Sequence, residues 1–353
     1  EALISSALAN ESAFSPSRLE EIAGIARGAK IPYPEMLAYN LYAGLFSPDE
    51  CTVMIAFGKA TTSGNTVFMK NSDKIGAANL DGPQFYKNKE INTVLDVKPN
   101  GGPRIIGVSA AGTTGLKMGL NEYGVAVGTN IARTWELAQK KVDVTKMRAI
   151  DRAQLCRDAL EKKSALEASQ RITNVVLADP MATPGNMEFA DAKEAILLEG
   201  SYDKLALETV REGVTARSNC FVLLKELNQW DDISSQARLV RCRQLLGENE
   251  GRISKESMIR FSMDHANGPG PNSICRHGQH YTEEVSLSAA VMEIDRQNPK
   301  RSKISIALGK PCHAWREEKG HINLDMSTEA SAIPQDFVSG EVWKEFYRED
   351  GRD

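Results

Sequence analysis

The sequence predicts an α+β fold in which two antiparallel sheets are covered by helices within one large domain. Short apolar runs joined by glycine-containing turns recur from residue 51 onward, a texture that favours antiparallel strands. Pairs of segments with helical periodicity separate these blocks. No repeat and no convincing linker follows Cys51, and 353 residues can bury a large core, although length alone would permit two domains.

The elements follow in order. Residues 15–46 predict two helices. Ser15 caps the first, Pro16 suits its first turn, and Leu19, Ile22 and Ile25 recur on one side with Ala23 and Ala26. Ile31-Pro32-Tyr33-Pro34 breaks the pattern; the second helix carries Met36, Leu37, Leu41 and Leu45 and stops between Gly44 and Pro48. Strands are expected at 51–57 and 65–70, around a Thr61-Thr62-Ser63-Gly64 turn, then at 92–98, 104–110 and 124–129, the last entered through Asn121-Glu122-Tyr123-Gly124. A helical block from about 146 to 172 breaks near Lys163, where Ser164 and Glu167 have capping-box spacing. Strands are expected again at 174–179, 187–190, 194–199 and 219–225. A helical region over about 233–264 is interrupted at Gly247 to Gly251, and strands at 286–295, 302–308 and 321–324 precede a polar tail.

Composition narrows the function. Apolar residues at 41% and charged residues at 25% are ordinary for a soluble protein. A net charge of -4 argues against nucleic acid as a partner, because phosphate neutralisation needs a basic face. The nearest basic group, Arg296, Lys300, Arg301 and Lys303, reads as a solvated hairpin tip. No stretch is long and apolar enough to span a membrane, and Glu1 to Asn10 lack the pattern of a signal peptide. Six scattered cysteines with no CxxC pair suggest reduced thiols in a cytoplasmic protein.

Cys51 stands between Pro48-Asp49-Glu50 and the strand-like run Thr52 to Phe57. An unperturbed thiol, with a pKa of about 8.5, needs a base or a positive field to become a nucleophile at neutral pH. Were the chain cut before Cys51, its own α-amine, with a pKa of about 7.7–8.0, would supply that base. The plainer reading is a buried strand cysteine.

The run Leu19 to Ala29, the Cys51 strand, Gly119-Leu120-Asn121-Glu122-Tyr123-Gly124, Ser218-Asn219-Cys220-Phe221, Ser235 to Arg241, Asp264-His265, Ser273-Ile274-Cys275-Arg276-His277 and Leu308-Gly309-Lys310-Pro311-Cys312 follow one another in an order and spacing that resemble one family. It is the isopenicillin N acyltransferase, or acyl-CoA:6-aminopenicillanic acid acyltransferase, family (peptidase C45 type) of N-terminal nucleophile (Ntn) hydrolases, and the resemblance covers most of residues 19–315. Bile-salt and penicillin V hydrolases look related. Lys70-Asn71-Ser72-Asp73 is also similar to secernin-type relatives. The resemblance implies an αββα sandwich, a helical propeptide over 1–50 and a catalytic unit over 51–353.

It also implies roles. Cys51 is the nucleophile, first on the Glu50–Cys51 peptide and then on substrate. Asp73 matches the carboxylate that holds the new amine. Asn130 and Asn219 align with the oxyanion site, where an amide donor suits a developing negative oxygen. Arg238 matches the arginine at the start of a helix, which would lower the thiol pKa or hold an acidic group. Lys70 stands where the hydrolases carry arginine, a departure that supplies positive field without a bidentate fork. Cys220 stands where many relatives carry histidine. Residue by residue, plainer readings exist: a turn cap for Asp73, strand ends for the asparagines, a surface ion pair for Arg238.

His277, His280 and His313 could ligate a metal, but their spacing matches no zinc pattern and the resemblance implies none. A papain-like pairing of a cysteine with His265 or His277 lacks the local signature. The expected function is therefore a self-processing amidohydrolase acting on a small amide through a Cys51 thioester, without cofactor. Alternatives are an N-acyltransferase with acyl-CoA as co-substrate and, from another class, an uncleaved binding protein, motivated by Glu50 where many relatives have glycine. The expected partners are a small-molecule amide or acyl donor and the chain's own propeptide, retained as an α/β heterodimer through the apolar faces of the first helices.

Overall fold

The computed structural model describes residues 1–46, 50–75, 92–139, 151–178, 183–278, 284–318 and 320–327. The beginning of the 146–172 helical block, residue 179, His280 and the polar tail lie outside them.

The amino-terminal helix signals are realised. After α1 (Ala2–Ala9), which the sequence reading did not anticipate, α2 (Pro16–Ala29) begins with Ser15 Oγ accepting from Arg18 N at 3.3 Å. It ends at Lys30, which takes the left-handed conformation at φ 57°. α3 (Tyr33–Phe46) follows the Ile31-Pro32 break. These three helices bury their apolar residues on one another, with Ala7, Phe14, Ile22, Ala26, Leu37 and Leu41 at the centre.

Polar contacts join them to the rest of the chain. Arg18 Nη2 reaches Glu161 Oε1 at 2.6 Å, and Asn40 both donates to Gly112 O at 3.0 Å and accepts from Thr114 N at 2.8 Å.

The strands then alternate with helix pairs. β1 (Glu50–Phe57), β2 (Thr66–Ile75), β3 (Asn92–Val97), β4 (Ile105–Ala110), β5 (Met118–Asn121) and β6 (Ala126–Ile131) come first. α4 (Trp135–Gln139), α5 (Arg152–Leu160) and α6 (Ala165–Ala178) lead to β7 (Gly185–Ala190), β8 (Ala195–Gly200), β9 (Leu205–Val210) and β10 (Gly213–Arg217). α7 (Ile233–Glu248), α8 (Lys255–Ser262), β11 (Glu284–Ile294), β12 (Lys303–Leu308), α9 (Pro311–Ala314) and β13 (His321–Asp325) complete the described chain. One sheet runs β10-β1-β2-β11-β12-β13 and the other β3-β4-β5-β6-β7-β8-β9; every pairing is antiparallel.

Period-two alternation sets the layers. In β1, Val53, Ile55 and Phe57 join Phe68, Met292 and Ile306 against Ile106, Met118 and Leu197 of the second sheet. Met54 and Ala56 face the other way, onto Leu239, Cys242 and Leu246 of α7 and Met258 and Phe261 of α8. Beneath the second sheet, Val127, Met187 and Leu198 meet Leu155, Leu160 and Ile172 of α5 and α6. The result is an αββα sandwich.

Two expected strands are absent. Residues 174–178 continue α6, whose buried face Ala165, Ala168, Ser169, Ile172 and Val176 keeps helical spacing and leaves Leu177 exposed. Residues 219–225 curl instead of pairing, because the Glu199 carboxylate accepts from the successive N–H groups of Val222, Leu223 and Leu224 at 2.8, 2.8 and 3.0 Å. A side chain thus takes the donors a ladder would need.

Candidate active site

The register of β1 against β2 sets the site. Cys51 lies opposite Ser72 and Glu50 opposite Asp73, so the pleat sends Cys51, Lys70 and Ser72 toward the second sheet and Glu50, Asn71 and Asp73 toward the covering helices. On the inner side, Lys70 Nζ donates to Cys51 Sγ at 2.9 Å, and both residues are wholly buried. Gly128 of β6 makes room for the pair: a Cβ there would lie 3.1 Å from Lys70 Cδ and 3.3 Å from Glu188 Oε2. Glu188, on β7, is buried with neither carboxylate oxygen hydrogen-bonded. Burial raises its pKa to about 7, against the opposing pull of Lys70 and Arg217.

The backbone of Cys51 is held from α7 and from the curled 219–225 segment. Asn219 Oδ1 accepts from Cys51 N at 3.0 Å and from Arg238 Nη2 at 2.8 Å, which fixes the orientation of its amide. Arg238 Nη1 donates to Cys51 O at 2.8 Å and to Thr52 Oγ1 at 2.9 Å. Asn219 Nδ2 donates to Ile131 O at 2.8 Å, and Asn130 Nδ2 to Ser218 O at 3.2 Å, so the two asparagines cross-link the strand end of β6 to the segment after β10.

On the helix side, Glu50 is gripped by three guanidinium groups. Arg133 donates to Oε1 through Nη2 and, at 2.6 Å, through Nε; Arg276 Nη1 and Arg238 Nη2 approach Oε2, the latter at 3.5 Å. Arg276 and Arg133 also reach Glu284 at 2.8 and 3.0 Å. Burial pushes the Glu50 carboxyl up, but Arg276, Arg238 and Arg133 more than reverse this and hold it at about 2. Asp73 accepts from Ser286 Oγ at 2.6 Å, with Arg276 3.6 Å from its other oxygen; burial dominates there and its pKa is raised. Ser286 stands beside a β-bulge in β11, a device that re-aims side chains at the edge of a site.

Of the residues singled out from sequence, Cys51, Lys70, Asn219 and Arg238 are in direct contact. Asn130 joins them through Ser218 and Ile131. Asp73 sits in the arginine cluster, across the sheet from the thiol. Sequence reasoning missed Arg133, Glu188, Glu284 and Ser286, and it quoted Arg276 without giving it a task. Behind Arg276, the side chains of His265, Cys275, His277 and Cys312 converge. This differs from the trio His277, His280 and His313: His280 lies outside the described residues, and the ring of His313 stands 5.9 Å from that of His277 between centroids without joining the convergent donor atoms.

The family model of the acyl-coenzyme A:6-aminopenicillanic acid acyl-transferases matches residues 60–311, a stretch that begins after Cys51. No curated protein matches the chain. Among solved structures, a mutant conjugated bile acid hydrolase from Clostridium perfringens is similar at 12% identity and a TM-score of 0.48, over 79% of this chain and 93% of that one. An ortholog of N-acylethanolamine-hydrolyzing acid amidase from Caenorhabditis elegans is similar at 16% identity and 0.44, over 69% and 92%. Penicillin V acylase from Agrobacterium tumefaciens is similar at 13% and 0.42, over 73% and 83%. With most of its length matched, the chain belongs to the acyl-coenzyme A:6-aminopenicillanic acid acyl-transferase family, and its fold is an αββα sandwich.

Proposed function

We propose that this protein is a cysteine Ntn amidohydrolase that activates itself by cutting the Glu50–Cys51 peptide bond. The observation that carries the reading is the buried contact of Cys51 Sγ with Lys70 Nζ, beside Asn219 and Arg238 on the same residue's backbone. In the uncut chain Lys70 serves as the proton acceptor or positive field that the missing α-amine cannot yet provide. The thiolate adds to the Glu50 carbonyl, the C–N bond breaks as the nitrogen takes a proton, and the acyl group rests on sulfur as a thioester. Water then hydrolyses it, leaving Glu50 with a new carboxylate and Cys51 with a thiol and an α-amine. In the mature enzyme that amine deprotonates the thiol, the thiolate attacks a substrate amide, the amine protonates the leaving group, and water resolves the second thioester. Asn130 and Asn219 supply amide donors to the oxyanion, Arg238 holds the Cys51 backbone, and Asp73 is the nearby acid that orients the new terminus.

Capture of the same thioester by an amine would make the protein an acyltransferase, with acyl-CoA as donor. Partition of product between water and added amine separates these: dominant amide synthesis from an acyl thioester overturns the hydrolase. An uncleaved binding protein draws support from the arginine grip on Glu50 and from an unstrained backbone, since Lys30 is the one non-glycine residue at positive φ among the described residues. Intact mass decides this. Fragments 1–50 and 51–353 are expected, with Cys51 alkylated by iodoacetamide in the larger one; a single inert chain would overturn the proposal.

A further inference from the structure

Three segments of the chain bring two imidazoles and two thiols together behind Arg276. His265 follows α8, Cys275 and His277 flank Arg276, and Cys312 lies in α9; their ligand atoms all fall within 4.8 Å of one another. His277 Nε2 is 3.0 Å from Cys312 Sγ and 3.7 Å from Cys275 Sγ. The rings of His265 and His277 meet edge to face at 4.8 Å, and His265 Nε2 is buried without a hydrogen bond of ordinary geometry. From these contacts we infer that His265, Cys275, His277 and Cys312 form a structural zinc site.

The donor set selects the ion. Two sulfurs and two ring nitrogens match a closed tetrahedral site, whereas calcium and magnesium require oxygen ligands. Zinc bonds of about 2.3 Å to sulfur and about 2.0–2.1 Å to nitrogen put ligand atoms roughly 3.3–3.8 Å apart, so a small contraction of the group suffices. Two thiolates balance the charge of the ion, and no carboxylate is in the group.

The scaffold holds three of the ligands at their backbones or neighbours. Arg241 grips Asp264, next to His265, at 2.7 Å; Cys275 N donates to Asp264 O at 3.1 Å and His277 N to Pro269 O at 2.7 Å. Asn71 Nδ2, from β2, donates to Ser262 O and Ile274 O, both at 2.9 Å, tying the segment to the central sheet. Cys275 and His277 turn to one side and Arg276 to the other, where it meets Glu50, Asp73 and Glu284. The metal thus positions Arg276 without touching substrate.

The test is metal analysis of the full chain, purified without a histidine tag or chelator. About one zinc per chain is expected, with an X-ray absorption spectrum showing two sulfur neighbours near ~2.3 Å and two nitrogen neighbours near ~2.0 Å. Cys312→Ser and His265→Ala should each weaken zinc retention in a chelator competition at least ~10-fold. If either variant fails to fold, the wild-type spectrum still decides. Wild-type protein that takes up no zinc at micromolar concentration, or that carries a Cys275–Cys312 disulfide on non-reducing peptide mapping, overturns the site.

The Glu50 pocket supports a second assignment, which rests on the proposed cleavage. The same sulfur takes first the Glu50 acyl group and then that of the substrate. Release of Glu50 leaves Arg133, Arg238 and Arg276 with two directly paired acids, Asp73 and Glu284, where there had been three, and Asp232 acts on Arg133 only from a distance. A buried cluster with surplus positive charge recruits an anion. The geometry points to a substrate acyl group with a carboxylate three carbons from the scissile carbonyl, as in a glutaryl amide. Arg133, about one-third exposed, marks the side open to solvent.

Intact mass first establishes the cut. Glutaryl and valeryl p-nitroanilides are then compared as substrates and as protectants of Cys51 against iodoacetamide. The glutaryl compound should be turned over, or should protect, at least ~100-fold better, and Arg133→Met should erase most of that preference. An uncut chain overturns the proposed function along with this assignment. A cut, alkylatable enzyme that treats both compounds alike, or favours valeryl, overturns the acyl specificity alone.

Discussion

Two buried carboxylates on opposite sides of one sheet end in opposite states. Glu50, on the helix side, is met by three guanidinium groups and held at about 2; Glu188, on the inner side beside Lys70, has no hydrogen bond and is pushed up to about 7. Burial raises both. The number and geometry of charged donors decide which wins, since planar guanidiniums satisfy a carboxylate's lone pairs and a point charge at a distance does not. The Glu50–Cys51 peptide, proposed above as the bond that is cut, lies at the boundary: Glu50 in the saturated network, Cys51 in the undersaturated one. One side of the bond is thereby fixed in place while the other retains groups able to exchange a proton.

The largest expected effects come from the inner side. Cys51→Ala should abolish both self-cleavage and turnover, read by intact mass and by amide hydrolysis. Lys70→Met should slow self-cleavage by about 10²–10⁴-fold, the range for a lost proton-transfer group. Lys70→Arg separates two roles, because guanidinium keeps the charge but does not deprotonate in proteins. Near-normal cleavage would assign Lys70 to field; loss equal to that of Lys70→Met would assign it to proton transfer.

On the saturated side the effect should appear as stability. In an uncleavable Cys51→Ala background, Glu50→Gln leaves buried guanidiniums without their acid and should cost about 3–5 kcal/mol in urea denaturation. The Glu50 pKa falls on folding, from 4.5 to about 2, so its contribution is full above pH 4.5 and is lost as pH falls toward 2. Glu50→Gln should flatten that acid limb. An unchanged limb would mean that the grip on Glu50 contributes nothing to stability.

This contrast explains what could be read from sequence. The strand and helix patterns expected at 51–57, 104–110 and about 233–264 were legible because each element shows its pattern locally. The curl at 219–225 was not, because it depends on Glu199, which comes from another strand. Cys51, Lys70, Asn219 and Arg238, which the fold brings into contact, were singled out through motif order. Glu188 was hidden in an ordinary strand, and nothing near Arg133 in the chain signals that it meets Glu50. Asp73 was singled out as the carboxylate that would hold the new amine; strand parity places it on the face opposite the thiol, and parity is fixed only once the β1–β2 register is known.

A smaller effect tests the unsaturated acid directly. The Glu188 pKa rises on folding, from 4.5 to about 7, so its contribution is full below pH 4.5 and is lost as pH rises through about 7. Wild-type stability should therefore decline across that window by up to roughly 3 kcal/mol, and Glu188→Gln should remove the decline. Urea midpoints from pH 4 to 8 check it; parallel curves for the two proteins would show that Glu188 is solvated or paired.

The smallest effect probes the bridge between the two sides. Ser286 Oγ donates to Asp73 and accepts the N–H of Arg276 at 2.9 Å, so Ser286→Ala removes two hydrogen bonds and should cost about 1–2 kcal/mol. Because the bond to Asp73 favours its ionised form, the loss should be larger at neutral than at acid pH. If the cost of Ser286→Ala were constant from pH 3 to 8, Asp73 would be neutral throughout. It would then be unable to hold a newly formed amine as an ion pair, and the arginine cluster alone would have to position the cut terminus.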